Sequence, residues 1–293
     1  MDNAVKRSII AMPIILLVAA GMAWAGSQGG YSAWGVPLLA LSVALAFIIQ
    51  WIAFIPAFTR QTEKFFDLTG GITYITVVVV AVILSPTVDG RSLLLLGIIS
   101  IWAIRLGSFL FMRIRAAGED RRFREIKPSF ARFLLTWTIQ GLWVSFSLAA
   151  ALAAITSETR VALGGFALVG FIVWLIGFGI EVIADRQKSN FKAQLENDGK
   201  FINVGLWSWS RHPNYFGEIV LWIGVAIVAL PVLSGWQWVT LISPIFIILL
   251  LTRISGVPML EARADKKWGG QDDYEAYKAN TSVLIPKPPS SPR

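Results

Sequence analysis

Four charged residues recur at helical spacing where a long apolar run of the sequence ends: Glu181, Asp185, Lys188 and Lys192. Residues three and four positions apart lie on the same side of a helix, so these four form a polar stripe that leads out of the apolar run. Ion pairs between the carboxylates and the lysines would explain the stripe structurally. The same groups could also bind a charged ligand, and the next segment of the sequence favours that interpretation.

The segment from Gly205 to Glu218 combines charged, amide and aromatic residues just ahead of another apolar run. Pro213 suits the first turn of a helix, where its missing backbone N–H costs nothing, and the free N–H groups of that turn would lie beside Arg211. A helix N-terminus next to an arginine favours phosphate binding. Asn214 and Glu218 share a helix face with the aromatic ring of Trp222, a combination that can hold a nucleotide.

The alternative interpretation of this segment is an interfacial aromatic belt, with Arg211 and His212 at the level of the lipid headgroups. Glu218 argues against it, because a carboxylate one turn inside an apolar segment is costly and usually functional. Ligand binding by the polar stripe and nucleotide binding by this segment are therefore interpretations that support each other.

The residue inventory excludes several kinds of site. The chain has no cysteine and one histidine, His212. Thiol catalysis, disulfides and cysteine-based zinc sites are thereby excluded, and a haem or multi-histidine metal site would need other ligands, so we predict no metal. The sequence also lacks a Gly-x-Gly-x-x-Gly or Walker motif, so a nucleotide would have to bind among helices and loops.

The elements that must position these residues are membrane-spanning helices. Only 15% of the residues are charged and 55% are hydrophobic, with a mean hydropathy of +0.64, whereas a soluble domain has roughly 25% charged residues. Apolar runs of this length cross a bilayer as helices that satisfy their own hydrogen bonds. We predict an all-α polytopic membrane helical bundle of about eight transmembrane helices, a seven-helix core plus one N-terminal helix, without interrupted helices. The predicted spans are 9–25, 36–58, 67–85, 92–112, 132–155, 161–184, 214–233 and 236–254.

The distribution of basic residues predicts the orientation of this bundle. With a cytoplasmic N-terminus, 23 of the 26 Lys and Arg residues fall on the cytoplasmic side, which is the bias of the positive-inside rule. The net charge of +8 then reflects orientation and requires no nucleic-acid partner. Both termini are predicted to be cytoplasmic, and Arg105, Glu181, Asp185 and Glu218, with Asp67, would converge on one cavity open to that side. Residues 1–25 could instead be a cleaved signal peptide, although the apolar run is long enough to span.

The C-terminal part of the sequence changes character after residue 254. Gly256 and Pro258 are expected to end the last span, and residues 259–280 to form a short amphipathic helix and loop. This segment would lie either at the membrane surface or back over the cytoplasmic mouth of the bundle. We predict three regions: the first two spans in 1–58, one membrane domain in 59–286, and an unstructured tail in 287–293.

Three blocks of the sequence resemble one known family. They are Glu181-x-x-x-Asp185-x-Gln187-Lys188-x-x-Phe191-Lys192, Gly205-Leu-Trp-x-x-Ser210-Arg-His-Pro-Asn-Tyr-Phe-Gly-Glu218 and Ser255-Gly-Val-Pro-x-Leu260-Glu261. Together they resemble the steroid 5α-reductase-like membrane proteins, in particular the bacterial branch known as DUF1295, from about residue 60 to residue 286. The resemblance implies a bacterial inner-membrane, NADPH-dependent oxidoreductase that transfers hydride to a C=C bond conjugated to a carbonyl, as a 3-oxo-5α-steroid 4-dehydrogenase does, in a steroid or other lipid.

The resemblance also implies which residues contact the cofactor NADPH. By position these are Asp185, Lys192, Asn214, Glu218 and Arg253, with Arg211 and His212 in the same block. Lys188, Lys192, Arg211 and Arg253 would hold the phosphates, and Asn214 and Glu218 would orient the nicotinamide end. Lys192 stands where the eukaryotic enzymes have arginine, which a phosphate tolerates.

The substrate end departs further from the family. The catalytic glutamate of the family corresponds by spacing to Asp67, and its catalytic tyrosine falls at Trp102, which cannot donate an acidic proton. Tyr74, two turns beyond Asp67 on the same helix, could replace that tyrosine, so the catalytic acid is either Asp67 or Tyr74. Asp67 could also be a first-turn carboxylate stabilised by the helix dipole. Glu261 stands where the family has another tyrosine.

Two other functions compete with the reductase. The Arg-His-Pro-Asn-Tyr-x-Gly element also resembles isoprenylcysteine carboxyl and phospholipid methyltransferases, which bind S-adenosylmethionine. The cations of the 185–192 stripe favour NADPH, because S-adenosylmethionine has no phosphate. A transporter would show broken helices and inverted repeats. We therefore predict as partners a lipophilic substrate from the bilayer and membrane lipids, and no nucleic acid.

Overall fold

The computed structural model describes residues 2–288, and nearly all of its regular structure is helical. A short antiparallel hairpin, Ser32–Ala33 (β1) with Val36–Pro37 (β2), joins the first two helices. The helices are α1 Asn3–Gly26, α2 Leu38–Thr59, α3 Phe66–Leu84, α4 Gly90–Ala117, α5 Phe130–Thr156, α6 Gly165–Ala193, α7 Pro213–Ala229, α8 Ile242–Leu249, α9 Val257–Trp268 and α10 Asp272–Asn280. Eight segments of the described chain are long and apolar enough to cross a membrane, which confirms the predicted helical bundle and its number of spans.

Two helices extend well beyond their predicted apolar spans. Helix α4 continues to Ala117 and helix α6 to Ala193, whereas the predicted spans end at 112 and 184. Hydropathy marks only the lipid-facing part of a helix, and the Arg, Lys and Gln residues that follow have good helix propensity. The polar stripe of α6 is therefore helical throughout, as its spacing predicts.

The eighth segment is helical throughout the predicted span 236–254, but only its middle part is a regular α-helix. It consists of a 3₁₀ helix Gly235–Leu241, then α8, then a π-helical turn Leu250–Ile254 that leads into α9. A Cβ atom on Gly256 would lie 2.6 Å from the carbonyl oxygen of Leu251, so the chain can turn here only at a glycine. The expected break before residue 259 is thus present, but the segment ahead of it is not a regular α-helix.

The chain folds as two compact units, Met1–Leu168 with Ala226–Ser243, and Val169–Val225 with Pro244–Arg293. In the first unit, α5 is the central helix, because 78% of its apolar window is buried, against 28–44% for α1 to α4. Residues 148–155, mostly alanine, are at most 1% exposed. Small side chains allow the surrounding helices to approach α5 closely.

Arg91 anchors one end of the first unit. It lies in the first turn of α4, is only 2% exposed, and donates hydrogen bonds to the carbonyl oxygens of Val161, Ala162 and Val228. Guanidinium groups are well suited to such a role, since they offer five donors in a fixed plane. Arg91 thereby ties the connection between α5 and α6 to the end of α7.

Asp89 caps the N-terminus of α4 at the same end of the unit. Its Oδ1 accepts hydrogen bonds from the backbone nitrogen and the hydroxyl of Ser92, both at 2.8 Å, and lies 3.6 Å from Arg160. Burial alone would raise the pKa of the Asp89 carboxyl, but these hydrogen bonds and the charge of Arg160 lower it below its ordinary value. The ionised form of Asp89 is therefore the one that the fold stabilises.

Glu63 closes the opposite side of the first unit, where α2 meets α3. It is 4% exposed, accepts a hydrogen bond from the backbone nitrogen of Asp120 at 2.8 Å, and forms an ion pair with Lys127. A buried carboxylate is tolerated because both of its oxygens have donors. This contact fastens the basic connection between α4 and α5 to the turn ahead of α3.

Candidate functional site

Helices α6 and α7 cross within the second unit at glycines, and this crossing sets the distance between the residues predicted to contact a cofactor. A Cβ atom on Gly177 of α6 would lie 2.4 Å from the backbone nitrogen of Leu221, and one on Gly217 of α7 would lie 2.6 Å from that of Glu181. Gly224 repeats such a contact two turns further along α7. Because backbone atoms cannot move aside as a flexible side chain can, only glycine permits this approach.

Asp185 of α6 and Asn214 of α7 meet beside this crossing. The amide Nδ2 of Asn214 donates a hydrogen bond to Oδ1 of Asp185 at 3.3 Å. Asp185, Glu181 and Glu218 are all buried, at 7%, 2% and 8% exposure. The two helices therefore bring together three carboxylates and an amide, and the residues of this group predicted to hold the cofactor are Asp185, Asn214 and Glu218.

Two side-chain atoms beside this group are buried and have no hydrogen-bond partner in the part of the chain that the structure describes. They are the acceptor Oδ1 of Asn214 and Nδ1 of His212, which is an acceptor in the neutral tautomer that carries its proton on Nε2. Buried acceptors are normally satisfied by a donor. A ligand that carries N–H groups, such as the carboxamide or amino group of a dinucleotide, fits this arrangement.

The end of α6 holds the segment that leads to α7. The indole nitrogen of Trp207 donates to the carbonyl oxygen of Ala184 at 2.9 Å, and the backbone nitrogen of Leu206 donates to Oε1 of Gln187 at 2.9 Å. Nζ of Lys188 lies 4.2 Å from the centroid of the Trp207 ring, a cation–π distance. Lys188 thus lies against the aromatic segment, whereas Lys192, one turn further on, is exposed.

Arg211 and His212 share one carboxylate, that of Glu261 in α9. Nε2 of His212 lies 2.7 Å from Oε1, and a terminal nitrogen of Arg211 lies 2.9 Å from Oε2. His212 is buried and Arg211 half-buried. The sequence predicts both residues as cofactor contacts but gives no indication of their partner, which lies 49 positions beyond His212. The one available signal was Glu261 itself, a carboxylate where the resemblance leads us to expect tyrosine.

Helices α9 and α10 fold back onto the segment ahead of α7. The ring of Phe201 contacts Trp268, Tyr274 and Tyr277, with centroid distances of 5.9, 5.3 and 5.2 Å. Burial raises the pKa of the Tyr277 phenol, so its hydroxyl remains a donor, and it donates to the carbonyl oxygen of Trp207 at 2.7 Å. Residues 259–280 are expected either at the membrane surface or folded back over the bundle. The contacts of α9 and α10 with Phe201 and Trp207 agree with the folded-back position.

Arg253 is not part of this group of contacts. It lies in the π-helical turn and is exposed, as Lys192 is. The predicted phosphate ligands therefore divide into two half-buried residues, Lys188 and Arg211, and two exposed ones, Lys192 and Arg253.

The two candidate acids lie in the first unit, both on α3. Asp67 is in the first turn and partly exposed, and Tyr74, seven positions further on, is buried. The ring of Tyr74 meets Trp102 edge to face, with centroids 5.0 Å apart. The ring of Tyr74 thus lies beside the position where the family resemblance leads us to expect a tyrosine.

Comparison with known proteins places the chain in a family. The family model described as "Protein of unknown function (DUF1295)" matches residues 53–281, and the chain belongs to this family. The family is steroid 5α-reductase-like, which confirms the resemblance seen in the sequence blocks.

The curated relatives that match are named as steroid dehydrogenases or reductases. The 3-oxo-5-alpha-steroid 4-dehydrogenase 1 of Rattus norvegicus is 30% identical over 120 residues, which cover 41% of this chain and 40% of the relative. The steroid 5-alpha-reductase DET2 of Gossypium hirsutum is 29% identical over 119 residues, 41% of each chain. The chain thus spans about two fifths of the length of the curated relatives it matches. No solved structure matches the chain significantly.

Proposed function

We propose that this protein is an integral membrane, NADPH-dependent reductase of a C=C bond conjugated to a carbonyl in a lipophilic substrate. The observation that carries the proposal is the contact between Asp185 and Asn214 at the α6–α7 crossing, next to Arg211 and His212. The resemblance to the reductases implies NADPH contacts at these positions. The names of the curated relatives support the class of reaction.

The side chains fit NADPH in charge and in hydrogen bonding. Lys188 and Arg211 would provide half-buried cations for its phosphates, and the exposed Lys192 and Arg253 would add to them. The unsatisfied Oδ1 of Asn214 suits its N–H groups, and Nδ1 of His212 does so in the tautomer that carries its proton on Nε2. When bound, NADPH supplies the hydride. The carboxylate of Glu218 lies on the same face of α7 as Asn214, and both would orient the nicotinamide end.

The chain itself must stabilise the charge that develops on the carbonyl oxygen of the substrate. Asp67 or Tyr74 of α3 would donate a hydrogen bond or proton to that oxygen. The apolar substrate would enter from the bilayer between the N-terminal helices, and NADPH from the side on which the basic residues concentrate. That side is the cytoplasm if the positive-inside bias sets the orientation, which places both termini there.

The first experiment is cofactor binding to the detergent-purified protein, measured by thermal shift with NADPH, NADH and S-adenosylmethionine. A ligand that binds only the folded state stabilises it, by about 2.7 kcal/mol when its concentration is a hundred times Kd. We expect NADPH to stabilise the protein and S-adenosylmethionine to have no effect. Stabilisation by S-adenosylmethionine alone would instead establish a membrane methyltransferase.

Variants then test the site directly. Asp185→Ala and Asn214→Ala should each weaken NADPH binding, because each removes one member of a partly buried hydrogen-bonded pair. Asp272→Ala, at an exposed carboxylate in α10, is the matched control and should bind as the unmodified protein does. Full affinity in both Asp185→Ala and Asn214→Ala would refute the assignment of this site.

The reaction is tested separately from binding. Enone-containing lipids, including a 3-oxo-4-ene steroid, should be reduced while NADPH is consumed. One of the two variants Asp67→Asn and Tyr74→Phe removes the group that supports the carbonyl. We expect that variant to lose turnover by roughly 10²–10⁴-fold while it retains its affinity for NADPH. Unchanged turnover in both variants would exclude α3 as the source of the acid.

A further inference from the structure

The C-terminal segment 282–287 lies along the residues just ahead of α7. The backbone nitrogen of Arg211 donates to the carbonyl oxygen of Ser282 at 2.8 Å, and that of Lys287 donates to the carbonyl oxygen of Trp209 at 2.9 Å. These bonds pair two stretches of chain that are some seventy positions apart. The segment follows the end of the DUF1295 match at residue 281, so the family match gives it no role.

Ser210 connects this segment to His212. The Ser210 hydroxyl donates to the carbonyl oxygen of Leu284 at 2.8 Å, and the same oxygen accepts a hydrogen bond from the backbone nitrogen of His212 at 3.1 Å. Ser210 is 0% exposed. This buried hydroxyl uses its one donor and accepts one hydrogen bond, and removal of its oxygen would take both bonds away from their partners.

The two residues that follow Ser210, Arg211 and His212, are each held by a hydrogen bond from the backbone nitrogen. Arg211 is held through its backbone nitrogen by Ser282, and His212 through its backbone nitrogen by Ser210. Their side chains point to Glu261, so main chain and side chains are fixed by different parts of the C-terminal region. Such support is what gives a binding group a single geometry before the ligand arrives.

We propose that residues 282–287 form a strap that positions Arg211 and His212 for the cofactor, and that Ser210 is the positioning residue through which the strap acts. The identity of the cofactor rests on the proposed function above, but the strap itself does not. The strap contributes no group to the ligand; it restricts the two residues that do.

The test is Ser210→Ala in the full-length protein, with Ser208→Ala as the matched control. The Ser208 hydroxyl bonds only within its own turn, to the carbonyl oxygen of Gly205 at 2.7 Å, so its loss should leave the strap in place. We expect Ser210→Ala to weaken NADPH binding about tenfold, the size of one to two net hydrogen bonds. Ser208→Ala should bind as the unmodified protein does.

Two further readouts do not require the cofactor. Hydrogen exchange of peptides that contain residues 281–288 should become faster in Ser210→Ala, and it should stay unchanged in Ser208→Ala. Since His212 is the one histidine of the chain, selective isotope labelling gives a single imidazole NMR signal, which should move in Ser210→Ala. A role confined to general stability would lower the melting temperature without moving that signal.

The outcomes separate the two proposals. If the unmodified protein does not bind NADPH, the proposed function fails, and the exchange and NMR readouts still decide the strap. If Ser210→Ala leaves the exchange of 281–288 and the histidine signal unchanged, the strap is refuted even if NADPH binds. Retained NADPH affinity in Ser210→Ala, with a loosened strap, would refute its role in positioning.

Discussion

The α6–α7 crossing makes a sharp prediction for the substitution Gly177→Ala. The new Cβ atom would lie 2.4 Å from the backbone nitrogen of Leu221 and 2.6 Å from the carbonyl oxygen of Gly217. An ordinary contact of this kind needs at least 3.4 Å, so the helices must part locally by about 1 Å. Alanine gains at most about 1 kcal/mol of helix propensity over glycine, whereas overpacking costs about 1–3 kcal/mol.

The same movement should reach the site. Asp185 and Asn214 are already at the long end of hydrogen-bond distance, 3.3 Å, so a further separation of about 1 Å would break their bond. We therefore expect Gly177→Ala to lose about 1–2 kcal/mol of unfolding free energy and also to weaken NADPH binding. Unfolding in a denaturing detergent gives the first quantity, and ligand-induced thermal shift gives the second.

Gly179→Ala is the matched control two positions away on α6. A Cβ atom there meets nothing within 4 Å, so only the propensity gain remains, and this variant should be as stable as the unmodified protein or slightly more so. If Gly177→Ala and Gly179→Ala prove equally stable and bind NADPH equally well, the close crossing does not exist as described. The reasoning that links it to the site would then fail.

Further predictions concern the first unit. Arg91→Leu should lower the unfolding free energy by about 1–3 kcal/mol, because it leaves buried carbonyl oxygens without their donor; chemical unfolding measures it. Glu63→Gln should lower the free energy of unfolding by a similar amount, about 1–3 kcal/mol, because it leaves Lys127 without its charged partner. In a double-mutant cycle, the further substitution Lys127→Met should recover part of that loss. Because the pKa of Asp89 is lower in the folded chain than its ordinary value, its contribution to stability is present at neutral pH and is lost as the pH falls through that lowered pKa. Asp89→Asn should therefore show a smaller decrease in melting temperature on acidification, and an identical decrease would contradict this origin of the pH dependence.

The membrane bundle was predictable because its signal is local. Each span is a continuous apolar run, and a bilayer allows such a run few structures other than a helix. The polar stripe of α6 and Pro213 at the start of α7 were equally local, since helical spacing and the fixed φ of proline act within a turn or two. The 3₁₀ and π-helical turns of the eighth span were not predicted, because the run there is as apolar as the others and hydropathy does not distinguish these turns from an α-helix.

The partners of the candidate site were not predictable in the same way. Glu261 reaches His212 across 49 positions, and Leu284 reaches Ser210 across 74. No periodicity connects residues so far apart, because their contact depends on how α9, α10 and the tail fold back. Residues 289–293 of the predicted unstructured tail lie outside the described residues, whereas Lys287, also assigned to that tail, makes a backbone hydrogen bond. The division into regions 1–58, 59–286 and 287–293 remains a prediction.

One long-range feature did leave a signal in the sequence. Gly170 and Gly177 in the sixth span, and Gly217 and Gly224 in the seventh, repeat at intervals of seven residues, which is close to two helical turns. Two such pairs on consecutive spans are what a close helix crossing requires, since each glycine must face the other helix. The contacts at Gly177, Gly217 and Gly224 match that pattern. The glycine spacing therefore carries information about the site that the polar residues alone do not, because it determines whether Asp185 and Asn214 can meet at all.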